Sequence, residues 1–204
     1  MDYTTSANVL AAMGANAPSA NPLGATEQAL IDSYVTRVSR VIDRYVTNAE
    51  TGSDDYLKSE TKTAEILRGQ VDKDGSIVVF AHKPNVTNVA SLEYRYSPRD
   101  DWKAVTSVGY VVTDGYRLTI YEGLSRGPIY VRITYTGGLA SATASLPADI
   151  IEAATVLAIR YYKEARGGLE DVIGVADFGQ PVYSKSMPAR VREILAPYER
   201  PVPW

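Results

Sequence analysis

Between Pro128 and Gly168 a strand pattern passes through a two-glycine turn and a loop of small residues into the longest apolar helix pattern of the chain. Everything before this junction must pack around it. Ile129, Val131 and Ile133 alternate with Tyr130, Arg132 and Thr134, the period of a strand with one covered face. Gly137 and Gly138 end that strand where the turn needs backbone angles closed to residues with a side chain. Pro147 stands at or near the first helical position and Asp149 in the positive first turn, while Arg166 lies near the negative end and Gly167-Gly168 stops the helix. Ile150, Ile151, Ala154, Leu157, Ala158, Tyr161 and Tyr162 share a broad face, with Asp149, Glu152, Arg160 and Lys163 on the narrow remainder. A helix this apolar is central, and Ile150, Ala154, Leu157 and Tyr161 are its expected core residues.

The chain of 204 residues is long enough for a sizeable core in one or two domains, and its 45% apolar content predicts a folded protein. The absence of cysteine excludes disulfides and thiolate ligands. No stretch reaches the ~18 apolar residues of a membrane span, and the opening segment lacks a basic leader followed by an apolar run, so a soluble protein made in the cytosol with no membrane partner is expected. A formal charge of -3 from 24 acidic and 21 basic residues is too balanced to predict nucleic-acid binding. Fifteen tyrosines against two phenylalanines are less ordinary. Tyrosine suits wet protein interfaces, and equally the margins of a core or the faces of a sheet.

Residues Thr4 to Met13 read as a short helix stopped by Gly14, and NAPSANPLG from Asn16 to Gly24 as a loop. A long helix starts at Thr26, with Ile31, Tyr34, Val35, Val38, Val41, Ile42 and Tyr45 on one face and Asp32, Ser33, Thr36, Arg37, Arg40, Asp43 and Arg44 on the other. Its arginines form a basic line, which Asp32 and Asp43 interrupt; a solvated helix face explains it more simply than a phosphate-binding stripe. After the polar segment Asn48 to Tyr56 the pattern changes to short strands: one ending at Ile66-Leu67, then Ile77 to Phe80, Val86 to Tyr96, Val108 to Val112, Leu118 to Tyr121 and Ile129 to Tyr135. Asp74-Gly75, Asp114-Gly115 and Arg126-Gly127-Pro128 supply turns, and a small antiparallel sandwich or barrel-like sheet follows. Leu169 to Ser184 reads as extended or looping, a last helix runs from about Pro188 to Leu195, and APYERPVPW stiffens the end with Pro197, Pro201 and Pro203. Tyr198 and Trp204 on that tail need cover, from their own subunit or a neighbour. The expected class is α+β: a helical core of about four helices, residues 1–56 with 137–204, into which an antiparallel β-rich domain, residues 57–136, is inserted.

Catalytic and metal signatures are sparse. His82 is the one histidine, so no two-histidine metal motif exists within the chain, and it reads as a strand-end residue before Lys83-Pro84-Asn85 rather than a general base. No P-loop, dinucleotide fingerprint, EF-hand loop or nucleophile elbow is present. Asp54-Asp55 and Asp100-Asp101 fall in polar turns, and Asp149 with Glu152 on one helix face makes no catalytic cleft by itself. Gly137-Gly138 is better explained by a tight turn than by an anion cradle. No catalytic residue and no cofactor is assigned.

The order of these signals resembles the head-tail connector, or adaptor, proteins of long-tailed double-stranded DNA bacteriophages and prophages. The resemblance rests on VRITYTGG at Val131 to Gly138, LPADIIEAATVLAIRYYKEARGG at Leu146 to Gly168, the loop from Gly179 to Tyr183, LAPYER at Leu195 to Arg200, and TEQALIDSYVTRVSRVIDRYV at Thr26 to Val46. It covers most of the helical region; the large strand-rich block departs from the shorter, mainly helical members, and its residues take no function from the family. The resemblance implies a structural protein rather than an enzyme: a homo-oligomeric ring, usually of twelve subunits, at the head-tail junction of a virion assembled in the bacterial host cytoplasm. Such a ring sits beneath the portal protein, extends a channel through which packaged DNA passes without sequence reading, and presents a surface to a neck or tail-completion protein. Pro197, Tyr198, Arg200, Pro201, Pro203 and Trp204 become the candidate portal or intersubunit contacts, since stiff segments with aromatic anchors lose little freedom on docking. Two other readings compete. One is a carbohydrate- or protein-binding module using Trp102, Tyr94, Tyr96, Tyr110 and Tyr121; the other is an acid-base enzyme built on carboxylates.

Overall fold

The computed structural model describes residues 1–14, 24–47, 55–105, 109–113, 115–167, 172–175, 181–183 and 187–200. The chain divides into two compact units, Met1–Asp55 with Ala142–Arg200, and Tyr56–Ser141. The second unit extends past residue 136 because Leu139 N–H donates to Leu57 O (2.8 Å) and Ser59 N–H to Ala140 O (2.7 Å), tying its two ends together.

The first unit is helical. Its helices are α1 (Ser6–Met13), α2 (Ala25–Thr47), α3 (Ala148–Gly167) and α4 (Ala189–Leu195). Thr5 caps α1 by accepting the Asn8 N–H at 3.2 Å, satisfying one of the orphan donors of the first turn. In α2 the buried Ile31, Val35, Val38, Ile42 and Val46 recur every three or four residues, and the expected Tyr34, Val41 and Tyr45 are half-buried at the margins of that face. The polar face differs from expectation at one position. Asp43 is buried, because it accepts the hydroxyl of the wholly buried Tyr3, whose backbone N–H also donates to Ser39 Oγ at 2.8 Å. The neighbouring Thr4 hydroxyl meets that of Thr155 on α3 at 2.7 Å. The residues before α1 are therefore pinned by hydrogen bonds to both long helices, a contact the 3.6-residue period could not reveal.

Pro147 lies just outside α3, its carbonyl accepting Ile151 N–H at 3.3 Å, so the ring sits where no intrahelical donor is lost. Ile150, Ala153, Ala154, Leu157, Ala158 and Tyr162 are buried, the alanines keeping the helix narrow where its neighbours press closest. From α4, Val191 and Leu195 are buried in turn.

The second unit is a seven-stranded antiparallel sheet made of β1 (Glu60–Val71), β2 (Ser76–Phe80), β3 (Asn88–Arg95), β4 (Lys103–Ala104), β5 (Tyr110–Thr113), β6 (Arg117–Tyr121) and β7 (Gly127–Gly137), in the order β4-β3-β7-β1-β2-β6-β5. The strand alternation at Ile129, Val131, Ile133 and Tyr135 is fully realised: all are buried on one face. They join one apolar cluster with Leu92 from β3 and Leu118 and Ile120 from β6, so strands near opposite ends of the order share a core and the sheet must curl around it. Gly69 makes the curl possible, since a Cβ there would lie 2.5 Å from Val79 Cγ1 and 2.8 Å from Val78 O. β1 is bulged between Lys62 and Glu65, with Ala64 at φ 53.

The two glycines after β7 act differently from one another. Gly138 has φ 116, and a Cβ on it would lie 2.2 Å from Lys58 O; Gly137 is needed for space alone, with Lys83 Cβ 2.9 Å from the Cβ it lacks. Between α3 and α4, where the sequence reads as extended or looping, Val172–Val175 (β8) and Pro181–Tyr183 (β9) pair as a two-stranded hairpin.

Candidate functional site

The C-terminal segment is fastened to its own helical unit before it reaches any partner. After α4 the chain makes a 3-10 turn, Ala196–Tyr198. The Tyr198 hydroxyl donates to Asp149 Oδ2 at 2.8 Å, at the start of α3, and Arg200 N–H donates to Val46 O at 2.6 Å, at the end of α2. Burial and the Asp149 carboxylate push the Tyr198 phenol up to about 12. Close by, a hydrogen bond from Tyr45 to Glu199 raises the Tyr45 phenol. Of the tail residues singled out in the sequence, Pro197 is exposed, while Tyr198 and Arg200 are half-buried. Pro201, Pro203 and Trp204 lie outside the described residues.

Ile150, Ala154 and Leu157 are at most 2% exposed. Tyr161 is instead half-buried: its ring centre lies 6.2 Å from that of Tyr34, with the Arg37 guanidinium 4.9 Å from it. It is a rim residue, and it orients an arginine. Arg37, Arg40 and Arg44 are all exposed on α2, and the carboxylates expected to interrupt them are engaged elsewhere. Asp43 is the buried acceptor of Tyr3, and Asp32 accepts from Ser6 Oγ (2.7 Å) and Gln28 Nε2 (2.9 Å).

On the sheet, the aromatic residues proposed as a binding face are dispersed. Tyr94 and Tyr110 pack against the apolar core, and Tyr121 stands on β6, far along the strand order from Trp102 beside β4. Trp102 is occupied: the Arg95 guanidinium lies 4.3 Å and that of Arg132 4.7 Å from its ring. Register explains the arrangement, because Glu93 pairs with Arg132 and Arg95 with Tyr130 on the face opposite the core. Glu93 binds Arg132 Nε at 2.6 Å, which lowers the Glu93 carboxyl. Beside this cluster a cleft of about 400 Å³ is lined by Arg95, Tyr96, Arg99, Asp100, Asp101 and Lys103. Charges of both signs share it, and its Asp100 carboxylate is turned to the Ser97 N–H at 2.9 Å.

The densest ionisable cluster was hidden in the sequence. Lys83 is 2% exposed, with Nζ 3.0 Å from Glu60 Oε1 and 3.1 Å from Lys58 O. Beneath it Tyr135 Oη accepts the His82 and Lys83 N–H groups at 3.0 and 3.1 Å, and burial raises the Tyr135 phenol strongly. His82 is largely exposed, 3.5 Å from Glu65. Burial pushes the Glu60 carboxyl up, but hydrogen bonds from Lys62 and Lys83 outweigh it, and the net shift is downward. These contacts fasten the 82–87 turn to the start of β1 and the end of β7, and Gly138 N–H is consumed by Pro84 O at 2.6 Å, which removes it from any anion cradle. Among the described residues no group of three or more His, Asp or Glu could hold a metal ion. No helix among them is long and apolar enough to cross a membrane.

No family model matches the chain, and no curated protein matches it. Solved structures do. A chain in the neck of an empty gene transfer agent (GTA) particle, determined with C6 symmetry, aligns over 98% of this chain and 90% of its own length with a TM-score of 0.53 at 16% identity. A chain from the virion of a native GTA particle aligns over the same shares with a TM-score of 0.53 at 20% identity. The fold is one found in gene transfer agent particles. The alignment runs through nearly the whole chain, sheet included.

Proposed function

We propose that this chain is a structural subunit of the neck of a phage-like particle, at the head-tail junction. In this reading copies assemble as a closed ring beneath the portal, extend the DNA channel and join the head to neck or tail components. The observation that carries the reading is the near full-length likeness in fold to a chain of a particle neck solved with C6 symmetry. A ring of twelve is compatible with sixfold symmetry, and cyclic assembly needs two different faces on each copy.

The chemistry on the page fits this role. Ionisable side chains are used as fasteners within each unit, as at Lys83, Asp43 and Asp149, and the competing glycan platform is not assembled because Trp102 is covered by two arginines. The particle-neck reading therefore places function in surfaces repeated around an oligomer. The tail beyond Arg200, leaving the helical unit where Val46 holds it, is the proposed portal contact. Removing residues 201–204 leaves every fastener named above in place, so folding is expected to persist while binding to purified portal weakens. Unchanged portal binding rejects that role for the tail.

A further inference from the structure

The first 55 residues contain three basic side chains, Arg37, Arg40 and Arg44, against seven acidic ones, and four of the acids have partners within the unit. Glu27 receives the Tyr162 hydroxyl and Arg166, Asp32 receives Ser6 and Gln28, Asp43 is buried with Tyr3, and Asp55 lies 2.5 Å from the Met1 ammonium. Glu27 and Asp55 are ion-paired, whereas Asp32 and Asp43 accept hydrogen bonds from uncharged groups. The arginines are exposed, and Arg40 and Arg44 make no hydrogen bond or ion pair within the chain among the described residues. Spaced three and four apart on α2, they fall within about 60° of arc and span about 10 Å of helix axis. Arg37 is held in place at one end of the line by the Tyr161 ring.

We infer that this stripe is a contact surface for the phosphate backbone of double-stranded DNA, read without regard to sequence. The inference deepens the proposed neck function and rests on it for the setting: in a ring, the stripe of every copy would face the channel. Duplex DNA offers a charge about every 1.7 Å of its axis, so a 10 Å line of three guanidinium groups meets several phosphates without demanding a register. An acidic protein surface fits less well. Protein contacts are anchored by exposed apolar or aromatic side chains, and among the described residues the large ones, Ile66, Tyr96, Val111 and Tyr121, all belong to the sheet unit and none to α2.

The test is a fluorescence-anisotropy titration of a labelled random-sequence duplex with the full chain across a salt series. It compares the parent, the double variant Arg40→Gln/Arg44→Gln, and Arg126→Gln, an exposed arginine on the sheet unit, as control. Neither Arg40 nor Arg44 makes a hydrogen bond or ion pair among the described residues, so a melting curve equal to the parent's is expected. Binding should fall as salt rises. The double variant should bind about tenfold more weakly at low salt, with a log-log salt slope smaller by roughly 1.8, and the control should match the parent. Absence of duplex binding at low salt, or equal affinity and slope in the double variant, overturns the inference. Polyglutamate displacing the duplex as well as unlabelled duplex does, charge for charge, also overturns it in favour of an acidic protein partner. Sedimentation of the same samples separates this result from the ring reading: arginine-dependent binding by a monomer supports the stripe and removes the ring, whereas a ring indifferent to the double variant does the reverse.

Discussion

The helical unit and the sheet unit solve the burial of polar groups in opposite ways. In the helical unit polar side chains enter the packed interior and join segments far apart in sequence, as Tyr3 does with Asp43 and Thr4 with Thr155. The sheet keeps its core cluster apolar, apart from the Tyr135 hydroxyl, and gathers charge at one end, where Lys83 meets Glu60. Each choice follows from the backbone. A sheet satisfies its own N–H and C=O groups across the ladder and can keep a dry face, whereas the extended stretch before α1 must find partners on the helices beside it.

That contrast can be broken or sharpened by mutation, reading the two units as separate thermal transitions. Leu157→Asp places an unpaired charge among buried residues of α3 and should abolish the helical transition, while the sheet signal persists in near-ultraviolet circular dichroism. The milder Leu157→Ala should cost about 2–5 kcal/mol. Gly138→Ala should weaken the sheet transition by at least about 2 kcal/mol, since it combines a left-handed φ with a clash against Lys58 O. Asp43→Ala leaves the Tyr3 hydroxyl buried without its acceptor and should lower the helical transition alone by about 1–3 kcal/mol. An equal shift in both transitions would show that the units do not behave separately.

The smallest effects concern pH, and they differ in sign between the units. Tyr198 has a phenol raised to about 12, so its contribution is present below its ordinary value and is lost as pH climbs through the folded one. Tyr198→Phe should flatten alkaline loss of the helical unit between roughly pH 10 and 12. Glu60 is depressed, so its contribution is present above its ordinary value and is lost as pH falls through the folded one. Glu60→Gln should therefore reduce the acid sensitivity of the sheet unit, as followed by its melting temperature at decreasing pH.

Much of the architecture was legible because hydrophobic period reports which face is covered. The alternation at Ile129, Val131 and Ile133 and the spacing of Ile31, Val35, Val38 and Ile42 each encode one buried face. What stayed hidden were polar side chains whose partners lie far away in sequence. Asp43 sits in a polar run and Lys83 in a turn-like Lys-Pro-Asn, and nothing local distinguishes a buried fastener from a solvated charge. The same blindness made the arginine line look interrupted, because the fates of Asp32 and Asp43 depend on Ser6 and Tyr3. Pairing of β8 with β9 was missed because strands this short carry no period of their own. Trp102 looked available as a platform since only strand register brings Arg95 and Arg132 to its ring.

The account as a whole stands on assembly. Sedimentation velocity of the full chain at micromolar concentration, alone and mixed with purified portal, tests it most directly. A closed oligomer whose mass is a multiple of 22.2 kDa, and which sediments together with the portal, is the predicted result. A chain that remains monomeric with and without portal, and never co-sediments with it, contradicts the neck reading.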